Sequence, residues 1–218
     1  MPNHVTNRLT IIGDEQSLSE LFGACFRKQK HEVPDFWREK AANVELEQKD
    51  RQEWIDRITE LEAKEPYDVF DFNRIIPAPS FIFTGDALTG GSREETTGRN
   101  WYKFNAARWG TKWNAYDMSI VEHTESKLVI KFDTAWNIPE PVIKELVTWF
   151  PELMFFHEFY DEGGWFFGDR TYQAGELAID RYINGDDRKK HHELEKRLCI
   201  ELKGWDPDSD EDCDDDDE

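Results

Sequence analysis

The sequence predicts an α+β fold built on an antiparallel sheet, and two observations carry that prediction. Short runs that alternate apolar and polar residues are interleaved with runs whose apolar residues recur at helical spacing, and their order is β-α-β-β-α-β. The 218 residues also include 9 Trp, 6 Tyr and 15 Phe, enough bulk for a sizeable core.

Residues 5–12, Val-Thr-Asn-Arg-Leu-Thr-Ile-Ile, read as a strand closed by Gly13-Asp14. Asp14 can cap a helix over 15–28, where Leu18, Leu21, Phe22, Cys25 and Phe26 share a face. A charged helical stretch follows from Asp35 to Glu65, either a hairpin or one long helix. Its apolar stripe is Trp54, Ile55, Ile58 and Leu61, extended by Trp37, Ala41 and Val44, and Pro66 ends it. Tyr67–Ile76 is strand-like up to Pro77, and the four glycines within 84–100 predict a mobile loop. Within it, Gly85 to Ser92 has the look of a phosphate loop, but Gly91 stands where that loop needs its Lys.

Trp101–Trp109 predicts a short helix that Gly110 closes. Residues 118–124 and 128–134 alternate around Glu125-Ser126-Lys127 as a hairpin does. Pro139 opens a helix whose buried side is Val142, Ile143, Leu146, Val147 and Phe150, and Pro151 stops it. Strands at 153–160 and 165–172 turn at Asp161-Glu162-Gly163-Gly164, and a further strand lies near 177–182. Leu194, Leu198 and Leu202 mark a final helix over 186–203.

The order of strands 5–12, 118–124, 127–134 and 153–160 with helices 15–28 and 139–150 is the ferredoxin-like split unit. The expected layout is a ferredoxin-like α+β domain over 1–185 with an insertion at about 30–116, a C-terminal helix at 186–204 and a disordered acidic tail at 205–218. The rival layout has two domains, with a complete small sheet in the C-terminal half only.

The formal charge is −20, from 27 Lys and Arg against 47 Asp and Glu. That balance argues against a general nucleic-acid binder, because phosphate contact needs basic residues in excess. Residues 206–218 hold ten acids and no base, so the tail carries half of the imbalance. Such a tail repels itself and is expected to be disordered, either as a solubilising end or as a mimic of a phosphate backbone. Cys25, Cys199 and Cys213 are too few and too scattered for a disulfide framework or an iron–sulfur cluster, which fits a reducing cytoplasm. No apolar run approaches the ~20 residues of a membrane span, and the start Met1-Pro2-Asn3-His4 shows no secretory signal.

Four phrases occur together: Met1-Pro-Asn-His-Val-Thr-Asn-Arg-Leu, Phe72-Asn-Arg-Ile-Ile-Pro77, Trp109-Gly-Thr-Lys-Trp-Asn-Ala-Tyr-Asp117 and Phe132-Asp-Thr-Ala-Trp136. In these the chain resembles the YubB-like family of proteins carried by phages and conjugative plasmids, over most of residues 1–175. The resemblance implies a ferredoxin-like C-terminal half and an accessory role for a mobile element in a bacterial cytoplasm. It carries no catalytic residues. The long charged helix and the acidic tail look peculiar to this chain.

The richest stretch in functional groups is Arg108 to Asp117. Arg108 and Lys112 can meet phosphate or carboxylate, Trp109, Trp113 and Tyr116 can stack on a planar ligand, and Asn114 can read a donor–acceptor edge. Asp117 completes the candidate set. The alternative is that both Trp residues plug the core while Asn114 and Asp117 bind backbone at a helix-to-strand crossing.

His157-Glu158-Phe-Tyr-Asp161 fails as a metalloprotease pattern, since Asp161 replaces the second His and the stretch reads as strand. Asp161 and Glu162 are turn formers or weak cation ligands, Asp133 and Asp169 are candidate paired carboxylates, and His191-His192 lie on a wet helix face. No catalytic residue, metal ligand or cofactor is assigned.

The expectation is a non-enzymatic protein that binds a host factor, a nucleic-acid-processing or defence protein, through acidic and aromatic surface. Mimicry of DNA is its sharpest form. The alternative is a single-stranded nucleic-acid-binding or processing module using Trp109, Lys112, Trp113 and Tyr116. An enzyme of unknown reaction is the third.

Overall fold

The computed structural model describes residues 3–82, 84 and 100–209. Its strands are β1 (His4–Ile12), β2 (Phe26–Gln29), β3 (Tyr67–Phe70), β4 (Tyr116–His123), β5 (Lys127–Ala135), β6 (Met154–Asp161), β7 (Phe166–Gln173) and β8 (Glu176–Asn184). The helices are α1 (Glu15–Cys25), α2 (Asp35–Ala42), α3 (Gln48–Ala63), α4 (Phe72–Ile75), α5 (Trp101–Arg108), α6 (Glu140–Trp149) and α7 (His192–Leu198). The chain divides into two units, residues 26–70 and the rest. The loop expected at 84–100 and the tail expected at 205–218 lie outside the described residues, except Thr84, Asn100 and Trp205–Ser209.

In the larger unit six antiparallel strands lie in the order β4-β5-β1-β6-β7-β8. Its first four members are the split unit's arrangement, in which the first strand lies between the third and the fourth. β1 is therefore central, pairing Asn7 with Phe132 of β5 and with Phe159 of β6. β7 and β8 extend the sheet as a meander. Val5, Leu9, Ile11, Ile130, Phe132, Phe155 and Phe159 point to one face and are fully buried or nearly so. α1 adds Leu18, Leu21 and Cys25 to the core, and α6 adds Val142, Ile143, Leu146 and Val147.

The opposite face is half covered by the C-terminal segment. Leu198, Cys199 and Leu202 pack with Tyr160, Phe167 and Ile183. The expected single helix is three pieces, a 3-10 helix at Gly185–His191, then α7, then a π-turn at Cys199–Lys203 that Gly204 ends. The wider last turn brings the neighbours Leu198 and Cys199 into one cluster. Around them Glu158 bonds Arg8 and Arg197 at 2.7 Å, and Asp169 bonds Arg181 at 2.6 Å.

Other boundaries differ from expectation for visible reasons. The first helix ends at Cys25, not at 28, because Phe26–Gln29 pairs with Tyr67–Phe70. The second half of the strand predicted at 67–76 is helical, since Asp71 Oδ1 accepts from Asn73 N at 3.0 Å and caps α4. Pro139 is the residue before α6, and Pro141 takes the first turn.

In the smaller unit the 35–65 stretch is a hairpin of α2 and α3, tied by Arg38 to Glu62 at 2.9 Å. Phe36, Trp37 and Trp54 form a ring cluster, with Arg57 4.8 Å over Trp54, and no residue of either helix is buried.

Candidate functional site: an aromatic row at one end of the sheet

α5 starts where Asn100 Oδ1 accepts from Lys103 N at 3.0 Å and stops at Gly110, whose φ of 81° suits glycine. A Cβ there would also lie 2.9 Å from Pro141 Cδ. The chain then crosses the end of β5, where Lys112 N meets Ala135 O at 3.4 Å. Asn105 Nδ2 donates to Lys112 O at 2.9 Å and Thr111 Oγ1 to Trp113 O at 2.6 Å, which fixes the crossing. Trp136 follows β5 with φ 74°, and its N–H reaches Asn3 O at 2.9 Å. Trp136 and Asp117, at φ 49°, are two of the three non-glycine residues with positive φ among the described residues.

This local geometry lines up side chains from four places in the sequence. Lys112 Nζ lies 4.8 Å from the Trp113 ring centre and 4.9 Å from that of Trp136. Tyr102 meets Trp136 edge-on at 5.9 Å, and Tyr116 meets Trp113 at 6.0 Å. Tyr116 Oη lies 2.7 Å from His4 Nδ1. The result is a row, Tyr102, Trp136, Lys112, Trp113, Tyr116, His4, in which one ammonium is held between two indoles. Trp136 is 42% exposed.

Carboxylates surround the Tyr116 end. Burial, then Asp133, Asp117 and Glu162, push the Tyr116 hydroxyl above its ordinary range, so it stays protonated. Asp133 lies opposite Tyr116 in the ladder and accepts from Thr6 Oγ1 at 2.7 Å. Glu162 Oε1 accepts from His4 N at 2.8 Å. Lys203 donates to His4 O at 3.0 Å, and its ammonium is lowered by burial against the pull of Asp133, Glu162 and Asp161.

The seven residues singled out in the sequence part company here. Lys112, Trp113 and Tyr116 belong to the row, Asp117 is exposed beside it, and Arg108 is exposed on the last turn of α5. Trp109 is 6% exposed, donates from Nε1 to Ile76 O at 2.9 Å and packs against Phe72 and Phe104, so its ring is not open to a ligand. Asn114 Oδ1 accepts from Phe72 N at 2.8 Å, and its Nδ2 donates to Asp71 at 2.7 Å. It brackets backbone instead of facing outward. Sequence reasoning missed Tyr102, Trp136 and His4 as site residues. Trp136 and His4 stand in the family-like phrases, which was the available signal.

The other candidates are not brought together. Asp133 and Asp169 lie on strands separated by β1 and β6. His157 and Glu158 point to opposite faces of β6, and Asp161 Oδ2 accepts from Gly163 N at 3.0 Å as a turn former. Among the described residues no group of three His, Cys, Asp or Glu could hold a metal ion, and no helix is long and apolar enough to cross a membrane.

No curated protein matches the chain. A solved structure does: the crystal structure of a protein api92 from Yersinia pseudotuberculosis, 13% identical, covering 85% of this chain and 98% of that one, with a TM-score of 0.49. Residues 108–200, which hold Arg108 to Asp117 and strands β4 to β8, match the family model described as the ferredoxin-like domain in Api92-like protein.

Proposed function

We propose that this chain is a non-enzymatic interaction protein that grips a cationic segment of a host protein at the aromatic row. One observation carries the reading: the row already holds a cation, its own Lys112, between Trp113 and Trp136. An incoming Arg or Lys would find the exposed side of Trp136 and the carboxylates of Asp117, Asp133 and Glu162. Phosphates would meet those same carboxylates as repulsion. Tyr116, kept protonated, offers no base or nucleophile.

The setting is a phage- or plasmid-borne accessory protein of the YubB-like kind in a bacterial cytoplasm, with a nucleic-acid-processing or defence factor as partner; the family resemblance supports it. Mimicry of DNA finds less support on this face, because Glu158 and Asp169 of the sheet and Glu201 of the C-terminal segment are paired with Arg8, Arg197 and Arg181.

The test is fluorescence anisotropy with a labelled Arg- and Lys-rich peptide and with single-stranded DNA and RNA at low salt. The peptide binds, and Trp136→Ala or Asp117→Asn weakens it by about ten-fold. Oligonucleotide binding that vanishes in Lys112→Ala and Trp113→Ala would replace this reading with the nucleic-acid module.

A further inference from the structure

A lysine on so acidic a chain usually ends beside a carboxylate. Lys112 does not. Its Nζ lies 4.8 Å from the Trp113 ring centre and 4.9 Å from that of Trp136, and among the described residues it has no hydrogen bond or ion pair. The rim is aromatic too, with Tyr102 edge-on to Trp136 at 5.9 Å and Tyr116 edge-on to Trp113 at 6.0 Å. The hydrogen bonds of Lys112 are all on its backbone, from N to Ala135 O and from Asn105 Nδ2 to its O. The stem beyond is flexible, so the ammonium can leave while the backbone stays in place. The box is also half open, since Trp136 is exposed and Tyr102, Lys112, Trp113 and Tyr116 are half-buried.

We propose that Lys112 is a built-in stand-in for a trimethylammonium group, and that a trimethylated lysine of the partner protein enters between Trp113 and Trp136 as Lys112 swings out. This rests on reading the row as a grip for a cationic segment, and it names the cation. An indole face attracts the charge but replaces few of the hydrogen bonds that a plain ammonium makes in water. A quaternary ammonium has no N–H to satisfy and loses little on entry. Lys112 occupies the box in spite of that cost because its tether keeps it at high effective concentration. A choline headgroup carries the same cation on a phosphodiester. Its phosphate would meet Asp117, Asp133 and Glu162 beside Tyr116 as repulsion, so the occupant is a protein side chain.

The test uses the full chain and the Arg- and Lys-rich peptide, plain or with one trimethyl-lysine. In the free protein, the ring currents of two indoles shift the Lys112 Hε signals upfield. Saturation with the methylated peptide returns them to the position of a solvated lysine. By anisotropy the methylated peptide binds about ten-fold more tightly than the plain one, and Lys112→Ala, with the stand-in gone, gains about ten-fold again. Trp136→Ala erases the advantage of methylation. Equal affinity for the two peptides would overturn this inference and leave the row as a cation grip. So would Lys112 Hε signals unmoved at saturation, or Lys112→Ala binding no more tightly. Failure of both peptides to bind either protein would remove the reading of the row itself, and this inference with it. Binding to vesicles of pure phosphatidylcholine in place of the peptide would overturn the choice of a protein occupant.

Discussion

His157 shows how one side chain's surroundings set a property of the protein. Asn7 spends its amide donors on Val5 O and Thr134 Oγ1, so its Oδ1 accepts from His157 Nε2 at 2.9 Å. That fixes the tautomer and leaves Nδ1 a bare, buried lone pair. Burial first, and Arg170 second, push the imidazole down to about 3. The unfolded chain takes up this proton near pH 6.5 while the folded chain does not, so stability falls as pH drops below that value. The slope from this one group is about 1.4 kcal/mol per pH unit. His157→Gln should flatten the loss between about pH 6.5 and pH 4, read from urea midpoints of the two proteins. Asn114 is the second case. Asn114→Ala removes the side-chain oxygen that accepts from Phe72 N and the amide that donates to Asp71, and should cost about 1–3 kcal/mol in the same assay. Its residue type suits both a base-edge reader and a backbone bracket. Only a partner some forty residues away decides between them, and no local pattern contains it.

At the scale of elements, periodicity located the six strands of the large sheet and the longer helices, but it missed β2 and α4 and several ends. Phe26 continues the face of α1 and alternates equally well as a strand residue. Its pairing with Phe70 settles the matter, and that contact is long-range. Tyr67–Ile76 is strand-like in composition, yet the Asp71 cap turns its second half into helix. Hairpins were more legible, because turn residues and both strands lie within one short window. β7 and β8 also depend on one glycine. A Cβ on Gly168 would lie 1.8 Å from Arg181 O, the backbone of the facing strand. Gly168→Ala should therefore force the two strands apart and cost about 3 kcal/mol or more, measured as a lower denaturation midpoint. Gln173→Ala, at the far end of β7, serves as the control with little change.

For the whole molecule, the order of elements was enough to place β1 between the third and fourth strands of the split unit. It did not foretell that the last two strands would widen the sheet to six or that the C-terminal segment would lie across its second face. The segment from 26 to 70 is a compact unit of its own, and its two ends meet. Phe26 pairs with Phe70, and Asp71 N donates to Cys25 O at 3.0 Å. Replacing residues 27–69 by Asn-Gly should close that ladder as a two-residue hairpin and leave one cooperative unfolding transition, followed by near-ultraviolet circular dichroism. Loss of the cooperative transition would show that the sheet needs the excised residues. The central position of β1 has a temporal consequence. It is made well before its neighbours, which are 125 and 150 positions further on, as in Asn7 beside Phe132 and Arg8 beside Glu158. During synthesis that strand waits with both edges bare while more than a hundred residues are added. Assembly must then close very long loops at once, which makes slow folding and dependence on chaperones the natural companions of this architecture.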